Sequence, residues 1–111
     1  MFAPVQISLY GIAPSRALQD AVREKARQLE RIYERITGCR VVLTFEASHQ
    51  HQSKNFSVQI AVKVPGGEIA VACEHDADVR VALRESFGAA RRALEDYARG
   101  KRGELRQHAT A

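Results

Sequence analysis

The sequence has no tryptophan, few other aromatic residues and only two cysteines among its 111 residues. Cys39 and Cys73 lack the spacing of a metal or redox motif, so we expect two reduced, partly buried thiols and no disulfide. No apolar run approaches the length of a membrane span, and the first residues lack the basic and apolar regions of an export signal. These absences argue against a disulfide-rich secreted protein and a membrane protein, and they predict a cytoplasmic location.

Catalytic motifs are also missing. The sequence contains no nucleophile elbow, phosphate loop or paired-carboxylate arrangement, so we expect no enzyme, no cofactor and no small-molecule substrate. The best candidate for a chemical site is a set of possible zinc ligands at one end of the sheet, formed by His49, His51, Cys73 and His75. Both spacings, HxH and CxH, are weak signals. We therefore predict no metal and keep a metal-binding protein as the less favoured alternative.

Hydrophobic periodicity predicts one α+β domain in the order β-α-β-β-β-α. Alternating apolar residues predict strands near 5–9, 40–46, 56–64 and 69–73, and the turn Pro65–Gly67 joins the last two strands in a hairpin. Three-to-four spacing predicts a first helix over 16–36, capped by Ser15 and stopped by Gly38, and a last helix from Asp76 or Asp78 to Arg106.

A sheet with alternating faces and two one-sided helices has one economical arrangement, in which both helices cover the same apolar face of a four-stranded sheet. The other face should be open and polar. We expect the folded domain to span residues 1–99, followed by a basic, flexible tail over residues 100–111. The predicted open-face residues are Gln6, Ser8, Thr44, Gln59, Lys63 and Glu74.

Positive charge is concentrated in the helices. The segment from Arg80 to Arg106 holds eight basic and four acidic residues, a surplus equal to the net charge of the whole protein, +4. Outside the two predicted helices the chain is slightly acidic. Because net charge bears on partners more than on fold, nucleic acid is the first candidate partner. The scarcity of aromatic residues argues against stacking on single strands and favours contacts with the phosphates of structured RNA.

The last helix places its arginines unevenly. At about 100° per residue, Arg80, Arg84 and Arg91 fall together on one flank, while Arg92 and Arg99 lie on the outer side. Gly88 lies beside the cationic flank and leaves a gap where a backbone or a phosphate could approach.

Lys25 interrupts the apolar stripe of the first helix. Either its stem lies on the packed face while the ammonium reaches water at the edge, or it emerges into the seam beside the last helix, where two cationic surfaces would meet.

The order of elements and several segments together resemble the ribosome hibernation promoting factor and ribosome-associated inhibitor family, also called ribosomal subunit interface or sigma-54 modulation proteins. The resemblance runs from Val5 to His108 and includes ALQDAVREKARQLERI, PGGEI, HDADVRVALRESFGAARRALEDY and RGKRGELRQH. It implies a fold similar to the double-stranded RNA-binding domain. It also implies binding in the decoding channel of the small (30S) ribosomal subunit and its rRNA, which blocks messenger and transfer RNA under stress. The chain resembles the short form, without the additional domain of long members.

By position, Lys25 and Arg92 match basic residues of the family's helices, as do the basic residues that follow Tyr97. Gln28 stands where relatives often carry lysine, and Asp96 and Ala98 interrupt a region often richer in lysine. The main alternative is a general structured-RNA-binding or protein-interaction module with the same fold. The predicted RNA-binding residues are Lys25, Arg80, Arg84, Arg91, Arg92, Arg99, Lys101 and Arg102.

Overall fold

The computed structural model describes residues 4–47, 54–75 and 78–103. Its elements follow in the predicted order β-α-β-β-β-α. Among the described residues, no helix is both long enough and apolar enough to cross a membrane. The elements are β1 (Val5–Tyr10), α1 (Arg16–Ile32), β2 (Gly38–Ala47), β3 (Lys54–Val64), β4 (Gly67–His75) and α2 (Val79–Gly103).

The four strands form one sheet in the order β1-β2-β3-β4. Strands β1 and β2 are parallel, and the other neighbours are antiparallel. A parallel pair needs a long crossover, which α1 provides. The register brings Ile7, Val41, Ile60 and Val71 into one row across the sheet, so the alternating apolar residues of all four strands reach the same face.

Both helices cover this apolar face, as predicted. The core joins Leu18, Val22 and Leu29 of α1 to Leu83 and Leu94 of α2, through the buried residues of the central strands. The opposite face has no covering element among the described residues. The register places all six predicted open-face residues there, including Glu74, for which the structure describes the backbone.

Helix α1 begins as predicted but ends earlier. The Ser15 hydroxyl accepts a hydrogen bond from the Leu18 amide at 3.3 Å, which caps the first turn. The helix ends at Ile32, and Tyr33 is already extended, with φ of −143°. The prediction that the helix continues to Ile36 and stops at Gly38 is therefore wrong, because Gly38 is the first residue of β2.

The chain after α1 turns early because the sheet supplies partners for its backbone. The Thr37 amide donates to the Lys63 carbonyl at 2.8 Å, and the Cys39 amide donates to the Pro4 carbonyl at 3.0 Å. Ile36 is still buried, although it packs from the connection to β2 and not from a helical turn.

Two glycines hold backbone conformations that side chains disfavour. Gly11 has φ of 74°, and a β-carbon there would lie 2.7 Å from the Phe45 carbonyl oxygen. Any larger residue would therefore clash with backbone as well as strain the turn. Gly66 has φ of 89° and follows Pro65, in agreement with the predicted type II turn between β3 and β4.

Helix α2 is capped by Asp78, the second of the two predicted candidates. Its Oδ1 accepts a hydrogen bond from the Arg80 amide at 2.8 Å, and its carbonyl accepts one from the Ala82 amide at 3.1 Å. The helix continues to Gly103, so the first residues of the predicted tail are helical. The boundary between domain and tail remains a prediction, and residues 104–106 of the predicted helix lie outside the described residues.

An aromatic contact fixes the second half of α2. The rings of Tyr33 and Tyr97 meet edge to face with centroids 6.0 Å apart, and the Tyr97 hydroxyl donates to the Pro65 carbonyl at 2.9 Å. The end of α1, the β3–β4 turn and α2 are thereby joined at one point. This contact helps to set the spacing of the two helices and therefore the shape of the groove between them.

Candidate nucleic-acid interface

A groove of about 390 Å³ runs between α1 and α2 on the outer side of the helical layer. It exists because the two helices lie side by side on one sheet face and their buried stripes meet below it. Its lining combines an apolar floor with a cationic rim. The lining residues are Lys25, Gln28, Leu29, Arg31, Ile32, Arg84, Phe87, Gly88 and Arg91.

Four of these residues are basic, two from each helix: Lys25 and Arg31 from α1, and Arg84 and Arg91 from α2. No acidic side chain is among the described lining residues. Like charges that face one another across a groove raise the local positive potential and attract anions. The arrangement is thus suited to a phosphate or another strong anion.

Lys25 lies where the second interpretation of its position placed it. The residue is half-buried on α1 and lines the seam with α2. Its stem can pack beside the apolar stripe while its ammonium group remains at the groove. The groove therefore brings Lys25 of α1 together with Arg84 and Arg91 of α2, and their role as a cationic binding surface stays a prediction.

The pairing of the groove cations differs. Within the described part of the chain, Lys25, Arg31 and Arg84 have no ion pair. Arg91 does have one, because its Nε lies 3.2 Å from Glu95 Oε2, one helical turn further on. Three of the four cations therefore keep their full charge for an external anion, and the fourth shares its charge with a carboxylate of its own helix.

Gly88 gives the groove an open point between Arg84 and Arg91. A β-carbon at this position would have Arg92 Nη1 as its nearest neighbour, at 3.7 Å, which is ordinary van der Waals contact. Packing within the protein therefore does not require glycine here. A bare helix backbone at this point instead leaves room for a ligand to approach.

The remaining predicted residues lie outside the lining of the groove. Arg80 is exposed in the first turn of α2, and Arg92 is exposed on the same helix beside Gly88. Arg99 is paired with Asp96. Lys101 and Arg102 belong to the last turn of α2, where the structure describes the backbone.

Arg31 is a groove residue that the sequence analysis missed. It is exposed near the end of α1 and lines the groove with Lys25 and Gln28. The three residues follow one another at intervals of three, which places them along one side of a helix. That spacing was the available signal, but a single helix does not show on which side its neighbour lies.

The two thiols have different surroundings. Burial, with a smaller effect from the nearby Glu30 carboxylate, raises the pKa of Cys39 to about 11. This thiol is protonated at neutral pH, and so it is a poor nucleophile and a poor metal ligand. The Cys73 thiol instead lies 3.7 Å from Glu85 Oε1 and hydrogen-bonds to it.

The metal alternative involves residues that the structure describes only in part. His49 and His51 lie outside the described residues, and for His75 the backbone at the end of β4 is described. Among the residues whose placement is given, no group of three or more His, Cys, Asp or Glu side chains is arranged to hold a metal ion. Convergence of the four predicted ligands remains a hypothesis.

A four-stranded sheet with two helices on one face, in the order β-α-β-β-β-α, defines a class of small α+β domains. Within that class the chain belongs to the family described as sigma 54 modulation protein / S30EA ribosomal protein, whose model matches residues 5–102. This confirms the family resemblance found in the sequence. It also agrees with the prediction that the protein is not an enzyme.

Two relatives carry names that refer to ribosome hibernation. The chain is 30% identical over 92 residues to the ribosome hibernation promotion factor of Deinococcus radiodurans, a match that covers 83% of this chain and 47% of the relative. It is 33% identical over 72 residues to the ribosome hibernation promoting factor of Azotobacter vinelandii, covering 65% of this chain and 62% of that protein. The chain thus matches about half to three fifths of the length of these relatives.

Two solved structures share the fold. A ribosomal subunit interface protein from Coxiella burnetii superposes with a TM-score of 0.70 at 21% identity, covering 86% of this chain and 97% of that one. The N-terminal domain of Protein Y from Thermus thermophilus gives a TM-score of 0.67 at 21% identity, covering 87% and 99%. Both confirm the predicted α+β architecture.

Proposed function

We propose that this protein is a ribosome-associated hibernation factor that binds the small ribosomal subunit at its decoding region through the groove between α1 and α2. The family assignment and the names of the two relatives support association with the ribosome. A cytoplasmic location follows from such a partner. The function is non-enzymatic, because a bound protein in the decoding region excludes messenger and transfer RNA by occupying their space.

The single observation that carries the choice of surface is the groove itself, with Lys25, Arg31 and Arg84 facing one opening without carboxylate partners among the described residues. Cations that lie close together repel one another, so such an arrangement costs stability unless an anion binds there. RNA phosphates are the densest anions that a cytoplasmic protein meets. Arginine also suits phosphate geometrically, since its planar guanidinium group can form two hydrogen bonds at once.

The groove is preformed on rigid elements. Its rim residues project from two helices whose packed faces are buried in one core, and the Tyr97 hydroxyl ties α2 to the β3–β4 turn. A rigid receptor loses less entropy when it binds than a loop that must first become ordered. We therefore propose recognition of a folded RNA backbone by shape and charge, with little selectivity for base sequence.

The proposal is tested by sedimentation of the purified protein with isolated small subunits over a range of salt concentrations. Reversal of charge at two groove positions, Arg84→Glu with Arg91→Glu, should abolish co-sedimentation at moderate salt. Alanine at either position should lower the slope of log affinity against log salt by about one for each phosphate contact that is lost. The matched control is Arg23→Glu, which reverses an exposed cation of α1 that does not line the groove.

Unchanged subunit binding by the double reversal, or an equal loss with Arg23→Glu, would contradict the use of this groove. The alternative of a general structured-RNA binder is distinguished with the same proteins. Equal affinity of the wild type for an arbitrary RNA duplex and for small subunits would favour that alternative. Preference for the subunit, lost with the groove reversal, supports the ribosomal proposal.

A further inference from the structure

The open face of the sheet carries a second pair of cations, on the opposite side of the sheet from the groove. Arg40 of β2 and Lys63 of β3 are both exposed on this face and line one pocket of about 160 Å³. Neither has an ion pair in the described part of the chain. Both residues lie outside the two helices, so they are not part of the helical charge surplus.

The stem of Lys63 passes close to Gly38 of β2, in the pocket that Arg40 also lines. Its direct neighbour across the β3–β4 ladder is Glu68, the partner expected for a cross-strand ion pair. Its other neighbour is Gly38 of β2, and the Lys63 Cδ lies only 3.9 Å from the position that a β-carbon of Gly38 would take. Because Gly38 has no side chain, the stem of Lys63 has space above β2. Arg40 lies two residues further along β2 on the same face of the sheet.

Apart from Glu68, which also lines a second pocket with Arg40, the neighbours of the two cations in the sheet register are uncharged. Arg40 lies between Gln6 on β1 and Ala61 on β3, and Ala61 in turn faces Ala70 on β4. The same pocket is lined by Gln6 and Thr37, whose side chains add neutral hydrogen-bonding groups. A phosphate can thus approach the sheet surface closely, with two cations and the Gln6 amide around it and no carboxylate in the described lining of this pocket.

We propose that Arg40 and Lys63 form a second RNA-backbone site, so that the protein binds one RNA segment in the helical groove and another on the open sheet face. The folded body extends only 17 Å along its shortest principal axis. With cations on both sides of such a thin body, the protein can bridge two RNA elements that face each other. Bridging rests on the proposed function of the groove, but occupancy of the sheet site can be measured by itself.

The test uses the full chain and a short RNA hairpin at low ionic strength, with stoichiometry read by native mass spectrometry and by sedimentation equilibrium. The wild type should bind two hairpins. Arg40→Glu with Lys63→Glu should weaken the second binding step about tenfold or more and leave the first unchanged. The groove variant Arg84→Glu with Arg91→Glu should weaken binding of the first hairpin and leave binding at the sheet face unchanged. The four changes together should abolish both binding steps.

Two further variants show whether a change in binding arises from lost charge and not from unfolding of the protein. Arg40→Gln with Lys63→Gln should reduce the second step in the same direction but less, with unchanged thermal unfolding. Glu68→Gln should strengthen the second step, because it removes the nearest cross-strand carboxylate. A wild type that binds a single hairpin, or a second step insensitive to Arg40 and Lys63, overturns the sheet site. Failure of the groove reversal to affect subunit binding overturns the proposed function instead, so the two failures are distinguishable.

Discussion

In the first half of α2, residues 79–90, Leu83 is buried under the sheet while Arg84 is exposed at the groove with no ion pair among the described residues. In the second half, residues 91–103, Leu94 is buried just as fully, but Arg91 and Arg99 are paired with carboxylates of the same helix. The two halves therefore pack alike and differ in how much of their charge is available. A count of basic residues overstates the second half as an anion-binding surface, because intrahelical pairs already balance part of its charge.

The largest effects should show that packing does not distinguish the halves. Leu83→Ala and Leu94→Ala each remove a side chain that is at most 1% exposed, and each should lower the free energy of unfolding by about 2–5 kcal/mol. Chemical denaturation monitored by circular dichroism measures both. A much smaller loss of stability at Leu94 than at Leu83 would mean that the second half of α2 is loosely packed. The two halves would then differ in packing as well as in available charge.

Charge reversal at single arginines should separate the halves directly. Arg84→Glu should weaken binding to small ribosomal subunits by about tenfold or more, because an unpaired cation becomes an anion within the groove. Arg91→Glu should weaken it less, since Glu95 already offsets part of the Arg91 charge. Filter binding at fixed salt gives the two affinities, and a greater loss at Arg91 than at Arg84 would contradict the assignment.

The aromatic anchor of the second half should have a moderate effect on stability. Tyr97→Phe keeps the ring against Tyr33 but removes the hydroxyl that donates to the Pro65 carbonyl, and it should cost about 1 kcal/mol. Thermal unfolding measures the loss. RNA binding at the groove should weaken only slightly, so a large loss of affinity without a loss of stability would indicate that Tyr97 acts in binding itself.

The smallest predicted change is a gain. Glu95→Gln releases the Arg91 guanidinium group and should raise affinity for small subunits by about twofold to fivefold, while stability changes by less than about 1 kcal/mol. Fluorescence anisotropy with labelled subunits detects a change of this size. The matched control is Glu24→Gln on α1, which removes one carboxylate partner of Arg27 at a position away from the groove and should leave affinity unchanged.

The sequence predicted the architecture well because alternation and helical spacing are properties of single elements. Period two in all four strands fixed which residues share a face, and the register confirms it from Ile7 across to Val71. The helical spacing gave a wrong end for α1, because the buried apolar residue Ile36 continued the helical pattern by coincidence. Nothing in the local sequence shows that the backbone of Thr37 finds the Lys63 carbonyl and leaves the helix.

The groove was less predictable because it depends on the relation between elements. The helical wheel grouped Arg80, Arg84 and Arg91 on one flank beside Gly88, and of these arginines Arg84 and Arg91 line the groove while Arg80 does not. It did not include Arg31, since the side of α1 that faces α2 is decided by how both helices pack on the sheet. The ion pair between Arg91 and Glu95 follows from their spacing of four residues, but a grouping of charges by helix flank does not include such pairs.

Gly11 sets a limit on how this fold can vary. Its positive φ and the 2.7 Å approach that a β-carbon would make to the Phe45 carbonyl mean that the entry to α1 tolerates neither natural drift nor redesign at this residue. A library randomised at this position and selected for folded protein should return glycine. For the same reason, an aligned relative with a bulky residue here should show a shifted backbone at this turn or at the strand carbonyl opposite it.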